Sequence, residues 1–364
     1  MAGDQLNLAV VGYGYWGPNI VRNVMDSADL RLWGLCELDP ERTARFSNRY
    51  PGVRTCADFD EVLADPEVDA VSIATPPATH YPLARRALEA GKHVLVEKPL
   101  STTVADAEAL VELAGREGLV LMPGHTFLYS PAVNKVRELI DSGELGEIYF
   151  VTSSRMNLGI YQADGVVADL APHDLSILLY WLDRPVATVA AQGCTVFQSG
   201  VPEAAFLTLR FADGPTANVQ VSWLAPRKVR QMVVVGSKQM VIYDDTALDD
   251  AVRLYDRGFD FNDEPANFGE HQLTYRSGDM VAPRLQASEP LGMELEDFAH
   301  AIRTGSTPRS HGALGVEIVR VLEAAHASLD SSGQPVELAA LGGRAGAAPA
   351  TGGRAAANGA SAPR

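Results

Sequence analysis

LNLAVVGYGYWG, residues 6–17, is a short apolar run that leads into three glycines with the spacing GxGxxG. An apolar run of this length, stopped by glycine, predicts a buried β-strand. The stretch that follows, residues 18–25, has helical spacing. The segment is therefore predicted to form a strand, a tight turn and a helix.

This strand–turn–helix context gives each glycine a physical role. Gly12 allows the tight turn, Gly14 lets the backbone approach a pyrophosphate, and Gly17 permits close packing of helix against strand. Free N–H groups at the start of the helix favour negative charge. We therefore predict a dinucleotide site here, with Tyr15 and Trp16 of the same loop among its contacts.

An acidic residue follows the second predicted strand at the interval typical of such sites. Glu37 lies 20 positions after Gly17, since 37 − 17 = 20. Its carboxylate suits the ribose hydroxyls of NAD and would repel the additional phosphate of NADP. NAD is therefore expected rather than NADP. Asp39, two positions further on, is better placed to cap the helix that starts at Pro40.

Strands and helices alternate through the first third of the chain, which predicts a doubly wound parallel sheet of the α/β Rossmann type. We place this domain at residues 1–122. After the first strand, the predicted strands are Leu30–Cys36, Asp69–Ala74, His93–Val96 and Leu119–Met122, and the predicted helices are Pro40–Tyr50, His80–Ala90 and Val104–Arg116.

The pattern changes beyond Pro123, where runs of strands replace the alternation. This predicts an α+β domain with a largely antiparallel open sheet over residues 123–338. The Ala/Gly/Pro/Arg-rich residues 339–364 are predicted to be a disordered tail. The predicted elements are helices Ala132–Asp141, His173–Leu182, Glu294–Thr304 and Gly315–Ser331, and strands Glu147–Ser154, Thr188–Phe197, Ala205–Phe211, Ala217–Trp223, Gln231–Val235 and Met240–Tyr243.

Two polar segments follow the third and fourth predicted strands, at the carboxyl edge where ligands bind in parallel sheets. One carries Thr75, Pro76 and His80, and the other carries Glu97 and Lys98. We expect all five to contribute to the cofactor site. Lys98 is also placed to reach the substrate hydroxyl.

These residues, taken together, resemble the Gfo/Idh/MocA oxidoreductases over roughly residues 6–335. The resemblance implies a Rossmann domain followed by an α+β domain whose open sheet often mediates oligomer contacts. It also implies that Lys98, Asp169 and His173 are the catalytic positions. The matching motifs are GYGYWG, ATPPATH, AGKHVLVEKPL, GHTFLYSP and DLAPHDLSILLYWL.

The chemistry of these three residues agrees with that implication. Asp169 and His173 are four positions apart, so a helical backbone would place them on one face. A histidine has a pKa suited to accepting a hydroxyl proton as hydride leaves the same carbon. Lys98 would stabilise the alkoxide or tune His173, and Asp169 would orient the histidine or bind a neighbouring hydroxyl.

The substrate is expected to be sugar-like, because the family mostly handles sugars, nucleotide-sugars and cyclitols. Leu128 stands where inositol dehydrogenases carry an arginine, which argues against plain myo-inositol. The stretch SSRMNLGIYQADGVVADLAPHD is similar to a branch that modifies nucleotide-sugars. Arg155, Asn157 and Gln162 are candidate substrate contacts. Tyr129 either contacts substrate or packs at the domain junction.

Three function classes are open at this point. The first is a dehydrogenase or ketoreductase acting on a secondary hydroxyl or ketone. The second is an NAD-dependent glycoside hydrolase that oxidises its sugar transiently. The third is a non-catalytic dinucleotide-binding sensor.

Composition narrows the partners and the location. The chain has 364 residues, a formal net charge of −16 and three cysteines without a CxxC pair or Cys/His cluster. The acidic balance argues against nucleic-acid binding, and the cysteine pattern argues against a disulfide framework or a metal site. With no membrane-length apolar run and no signal-peptide pattern at the N-terminus, we expect a cytoplasmic homodimer or homotetramer.

Overall fold

A computed structural model describes residues 5–159, 165–197, 200–261 and 273–340. Within these residues the N-terminal sheet has six parallel strands in the order β3-β2-β1-β4-β5-β6. Its elements are β1 (Leu6–Val11), α1 (Gly17–Asp26), β2 (Leu30–Cys36), α2 (Pro40–Arg49), β3 (Arg54–Cys56), α3 (Phe59–Ala64), β4 (Ala70–Ile73), α4 (His80–Glu89), β5 (His93–Glu97), α5 (Val104–Glu117) and β6 (Leu121–Gly124).

The predicted Rossmann architecture is confirmed by this sheet. The apolar runs of β1, β4 and β5 are buried because helices cover both faces, and each face has its own hydrophobic core. Leu8 and Val10 belong to one core, whereas Ala9 and Val11 belong to the other. The sequence pattern missed β3 and α3, which are only 3 and 6 residues long.

The second part of the chain forms a mixed, mostly antiparallel sheet, which confirms the α+β prediction. Its nine strands within the described residues run β14-β13-β12-β11-β7-β10-β9-β8-β15, and β10 pairs with β7 in parallel. The elements are α6 (Pro131–Asp141), β7 (Ile148–Met156), α7 (Gly165–Leu182), β8 (Val186–Cys194), β9 (Ala204–Phe211), β10 (Thr216–Ser222), β11 (Val229–Gly236), β12 (Met240–Asp244), β13 (Val252–Phe261), β14 (Leu273–Val281), α8 (Pro290–Thr304), α9 (Gly312–Asp330) and β15 (Val336–Glu337).

Two differences from the sequence-based assignment concern the second domain. Strands β13, β14 and β15 were not predicted, and α7 begins at Gly165 rather than at His173. The earlier start places Asp169 and His173 in one helix, as the prediction of a shared face required. The predicted disordered tail, residues 339–364, lies outside the described residues except for 339 and 340, which belong to a short 3-10 turn, Leu338–Ala340.

The last helices pack back onto the Rossmann domain. Leu295 and Phe298 of α8 are buried in the same core as Ile20 of α1. An ion pair between Arg22 and Glu289 supports this contact at the surface. No helix within the described residues is both long enough and apolar enough to span a membrane.

Candidate functional site

A cleft of about 1030 Å³ opens at the carboxyl ends of the parallel strands. It lies where β1 and β4 are neighbours but their crossover connections diverge, the usual ligand position in a doubly wound sheet. Eight of the predicted cofactor contacts line it: Gly12, Gly14, Tyr15, Trp16, Glu37, Thr75, Pro76 and Glu97.

The three glycines differ in what a side chain would meet. Gly12 has φ +96°, and a Cβ there would lie 2.6 Å from the carbonyl oxygen of Ala74. A Cβ at Gly17 would overlap the carbonyl oxygen of Gly12. A Cβ at Gly14 would meet only Arg42 Nη1, at 3.8 Å. The protein itself therefore does not need glycine at Gly14, whereas a pyrophosphate lying against the loop would need it.

The start of α1 is arranged for an anion. Its N-cap residue, Trp16, makes no side-chain cap hydrogen bond, and the first turn holds no acidic residue. Pro18 carries no N–H, and the N–H of Asn19 donates to the carbonyl oxygen of Trp16 at 2.9 Å. The N–H of Gly17 is therefore the group of this turn that can donate to an anion. Trp16 Nε1 is buried without a hydrogen-bond partner among the described residues, and Tyr15 is 91% exposed.

The Glu37 carboxylate is fixed in place at the end of β2. It accepts hydrogen bonds from the backbone N–H groups of Tyr13 (2.6 Å) and Asp39 (2.9 Å). Arg42, which sequence reasoning missed, lies 3.8 Å from Glu37 and 3.2 Å from Asp39. Asp39 caps α2 by accepting from Glu41 N at 2.8 Å, as predicted.

The structure places His80 differently from the expectation of a cofactor contact. Its ring is fully buried, with Nδ1 2.7 Å from the carbonyl oxygen of Pro99 and Nε2 2.8 Å from that of Thr75. His80 therefore ties together the two loops that follow β4 and β5 and does not face the cleft. Burial lowers its pKa, although both carbonyls favour the charged ring.

Glu97 lines the cleft in an apolar setting. Burial raises its pKa to about 7, against the opposing effect of Lys98. A second buried carboxyl, Glu294 of α8, lies nearby and accepts a hydrogen bond from Thr126 Oγ1 at 2.7 Å. Burial and the charge of Glu97 raise the pKa of Glu294 well above its ordinary value.

Lys98 and Asp169, far apart in sequence, meet between the two domains. Lys98 Nζ donates to the carbonyl oxygen of Asp169 at 2.7 Å and lies 3.5 Å from its Oδ1. Trp223 Nε1 donates to the other carboxylate oxygen, Oδ2, at 3.1 Å. The carboxylate is thus held by Lys98 and Trp223. Both Lys98 and Asp169 line a second cavity of about 590 Å³.

His173 lies one helical turn after Asp169, with its ring packed edge-on against Phe127 at 5.2 Å between centroids. Burial, and then the positive charges of Lys98, Arg155 and Arg230, hold the pKa of His173 well below its ordinary value. The imidazole is therefore neutral near pH 7 and able to accept a proton.

The predicted substrate contacts have different surroundings. Tyr129 is 1% exposed and donates to Asp297 at 2.7 Å, so it packs at the domain junction, the second of its two predicted roles. Arg155 is buried in a bidentate pair with Asp174. Asn157 Oδ1 is buried without a partner among the described residues. Gln162 lies outside the described residues.

Several residues near the site were not found from sequence. Trp223, Phe127 and Arg230 come from parts of the chain that are distant in sequence. In the folded protein Trp223 contacts Asp169. Phe127 packs against His173, and the charge of Arg230 acts on His173. His125 is also close enough for its charge to affect His173. It is 1% exposed, neither ring nitrogen has a partner among the described residues, and burial lowers its pKa to about 3.

The cleft residues fit a dinucleotide. The space beside Gly14, the uncapped helix start and the orphaned Trp16 Nε1 all suit a pyrophosphate, and the fixed Glu37 carboxylate suits a ribose. Glu97 and Lys98 would then border the nicotinamide end, because Glu97 ends β5 and Lys98 follows it at the same edge of the sheet.

Comparison with known proteins agrees with this fit. Residues 6–125 match the model described as "Oxidoreductase family, NAD-binding Rossmann fold", and residues 133–242 match the "GFO/IDH/MocA C-terminal domain".

Individual relatives have low sequence identity to this chain, and two of the three described here match nearly all of it. The chain is 26% identical to scyllo-inositol 2-dehydrogenase (NAD(+)) of Bacillus subtilis over 92% of this chain and 96% of that protein. It is 30% identical to dTDP-3,4-didehydro-2,6-dideoxy-alpha-D-glucose 3-reductase of Saccharopolyspora spinosa over 53% of this chain and 61% of that protein. The structure of GenD2 from gentamicin A biosynthesis, in complex with NAD, superposes with a TM-score of 0.76 at 26% identity, covering 93% and 97% of the two chains. The chain therefore belongs to the Gfo/Idh/MocA family of oxidoreductases.

Proposed function

We propose that this protein is an NAD-dependent dehydrogenase, or in reverse a ketoreductase, acting on a secondary hydroxyl or ketone of a sugar, nucleotide-sugar or cyclitol. The observation that carries the proposal is that Lys98 pairs with Asp169, which lies one helical turn before His173 in α7. A Lys98–Asp169 pair beside a neutral histidine provides both a positive charge and a base for alcohol oxidation.

Each residue has a distinct task in this scheme. Bound nicotinamide would supply the hydride acceptor. His173, neutral at physiological pH, takes the proton of the reacting hydroxyl. Lys98 directs its ammonium toward the oxygen on which negative charge develops. Asp169, held by Trp223, fixes the position of the Lys98 ammonium.

NAD is proposed as the cofactor rather than NADP. Supporting this preference, Glu37 lines the cleft at the end of β2, where an acidic residue can accept from the ribose hydroxyls and would repel the additional phosphate of NADP. Among the described residues, two arginines line the cleft. Arg42 is offset by the carboxylates of Glu37 and Asp39, and Arg86 is paired with Asp60. Calorimetry with both cofactors tests the preference, and tighter binding of NADP would refute it.

The relatives support the substrate class. One acts, by name, on a cyclitol and another on a nucleotide-linked deoxysugar. We therefore propose a ring-shaped polyol substrate from one of these groups.

A substrate panel tests the function. Purified protein is incubated with NAD and with neutral sugars, cyclitols and nucleotide-sugars, while NADH absorbance and aglycone release are both followed. Net NADH formation with a panel member is the expected result. Aglycone release without a net absorbance change would replace the proposal with redox-assisted glycoside hydrolysis. Ligand-dependent partner binding without either reaction would favour a sensor.

We also propose that the protein assembles as a homodimer or homotetramer through the open face of the second sheet. Phe150 and Val235 are direct neighbours on β7 and β11, and Val233 and Ile242 are direct neighbours on β11 and β12. These apolar side chains lie on the face opposite the buried residues Val151 and Val234 and remain partly exposed. Burying them against a second copy would remove apolar surface from water.

A further inference from the structure

Two arginines lie directly opposite each other in the second sheet. Arg155 of β7 and Arg230 of β11 are register partners in an antiparallel pair. Their guanidinium carbons lie 4.6 Å and 5.8 Å from the centroid of the same ring, Phe127. Like charges facing each other across a sheet are destabilising. The pair therefore needs a compensating interaction.

Two carboxylates, one for each arginine, balance the two positive charges. Asp174 receives hydrogen bonds from Arg155 Nε at 2.8 Å and Nη2 at 3.2 Å. Asp245 receives one from Arg230 Nη1 at 2.9 Å.

Donors remain after these contacts. Arg155 is 4% exposed, and its Nη1 is buried without a hydrogen-bond partner among the described residues. The Arg230 side chain is 33% exposed, and only one of its five guanidinium N–H groups is needed for the contact with Asp245. A buried donor without a partner costs about 1–3 kcal/mol.

The arginine pair adjoins the reacting group. Phe127, which both guanidinium groups approach, is also the ring against which His173 packs at 5.2 Å. A ligand held beside His173 would thus meet the spare donors of Arg155 and Arg230. An anionic oxygen group would accept from those donors in charge-assisted hydrogen bonds, which are stronger than the hydrogen bonds that a neutral hydroxyl would accept.

We propose that Arg155 Nη1 and Arg230 form a binding site for an anionic oxygen group of the substrate, either a carboxylate or a phosphate. This inference rests on the proposed oxidoreductase function and narrows its substrate class. The substrate is then an acidic sugar or a nucleotide-sugar, and neutral sugars and cyclitols bind weakly.

Calorimetry on the NADH-loaded protein tests the site without turnover. The probes are D-glucose, D-glucuronate, UDP-glucose and UDP-glucuronate, which separate a carboxylate from a diphosphate. The variant is Arg230→Leu, because Arg155→Leu would leave the buried Asp174 charge unpaired and endanger folding. Arg227→Leu makes the same charge change at an exposed position three residues earlier and is the matched control.

At least one anionic probe is expected to bind wild-type protein more tightly than D-glucose. Arg230→Leu should weaken that probe by about tenfold or more, with D-glucose binding unchanged. Arg227→Leu should behave as wild type, and Arg230→Lys, which keeps the charge but loses the planar fork, should fall between. A selective effect on D-glucuronate identifies a carboxylate site, and a selective effect on UDP-glucose identifies a phosphate site.

Two results would overturn the proposal. One is that no anionic probe binds more tightly than D-glucose. The other is that a folded Arg230→Leu protein, verified by its melting temperature, binds anionic and neutral probes with the same losses. Tight anion binding that depends on Arg230, in a protein that turns over no panel substrate, would count against the oxidoreductase function alone.

Discussion

Trp223 illustrates how one residue far from the motifs supports the candidate catalytic pair. Its Nε1 donates to Asp169 Oδ2 at 3.1 Å, while Lys98 approaches the other carboxylate oxygen. Hydrogen bonds to charged groups contribute about 1.5–3 kcal/mol. We therefore describe Trp223 as a positioning residue whose loss would let the carboxylate, and with it Lys98, move.

Trp223→Phe is expected to lower kcat by about tenfold or more while leaving KM and NAD affinity nearly unchanged. A matched control exists in Trp33, whose Nε1 donates to Asp65 at the same 3.1 Å but away from the Lys98–Asp169 pair. Trp33→Phe should keep wild-type kcat. Equal losses of kcat in the two variants would show that Trp223 acts only through general stability.

The burial of Glu294 should be detectable in the pH dependence of the protein's stability. Its pKa is raised in the folded protein, so the folded state holds a proton that the unfolded chain loses above its lower pKa. Its contribution therefore becomes destabilising as pH rises. Glu294→Gln, which cannot ionise, should raise Tm at about pH 8 by about 2 °C or more beyond any change at about pH 5. The same difference in Tm at both pH values would contradict this account.

At the scale of elements, the loop between β1 and α1 contains glycines of two kinds. The packing of the protein requires glycine at Gly17, whereas only a bound pyrophosphate would require it at Gly14. Gly17→Ala places a methyl group against the Gly12 carbonyl, so overpacking should cost about 1–3 kcal/mol of unfolding free energy. Gly14→Ala meets only Arg42 Nη1 at 3.8 Å and should unfold within about 0.5 kcal/mol of wild type. It should nevertheless bind NAD at least about tenfold more weakly, because the methyl group would occupy the pyrophosphate position. Unimpaired NAD binding by Gly14→Ala would move the pyrophosphate away from this loop.

Elements with strong local signals were predictable from sequence. β1 and α1 combine an apolar run, a glycine motif and helical spacing. β5 is likewise an apolar run, and it ends at Glu97, next to Lys98. β13 was missed because VRLYDRGFDF lacks the regular apolar alternation of a half-buried strand. The start of α7 was placed too late because Pro172 lies inside that helix, where proline is uncommon.

The candidate site was predictable only in part, because some of its contacts join residues that are far apart in sequence. The residues on the carboxyl edges of successive strands can be placed together from sequence, since a parallel sheet aligns those edges. The burial of His80 and the pairing of Arg155 with Asp174 depend on long-range packing, and so does the approach of Trp223 to Asp169. Local spacing carries no information about such contacts.

At the scale of the whole molecule, the open sheet predicts the assembly. Sedimentation velocity on wild-type protein should give a dimer or tetramer at micromolar concentration, and Val233→Lys should shift it toward monomer, because a charge would be buried in an apolar contact. Met25→Lys, on α1 of the Rossmann domain, is the control for an apolar-to-lysine change and should assemble normally. A monomeric wild type, or unchanged assembly of Val233→Lys, would exclude this face as the interface.

In the proposed mechanism the two domains share one reaction, with Lys98 from the first domain and His173 from the second. The most direct test is the rate of NADH formation by Lys98→Met and His173→Ala at saturating NAD, with the best substrate of the panel. Each variant should lose at least about 10²-fold in kcat, while NAD still binds within about threefold of its wild-type Kd. Wild-type turnover by either variant would remove that residue from the mechanism and contradict the account.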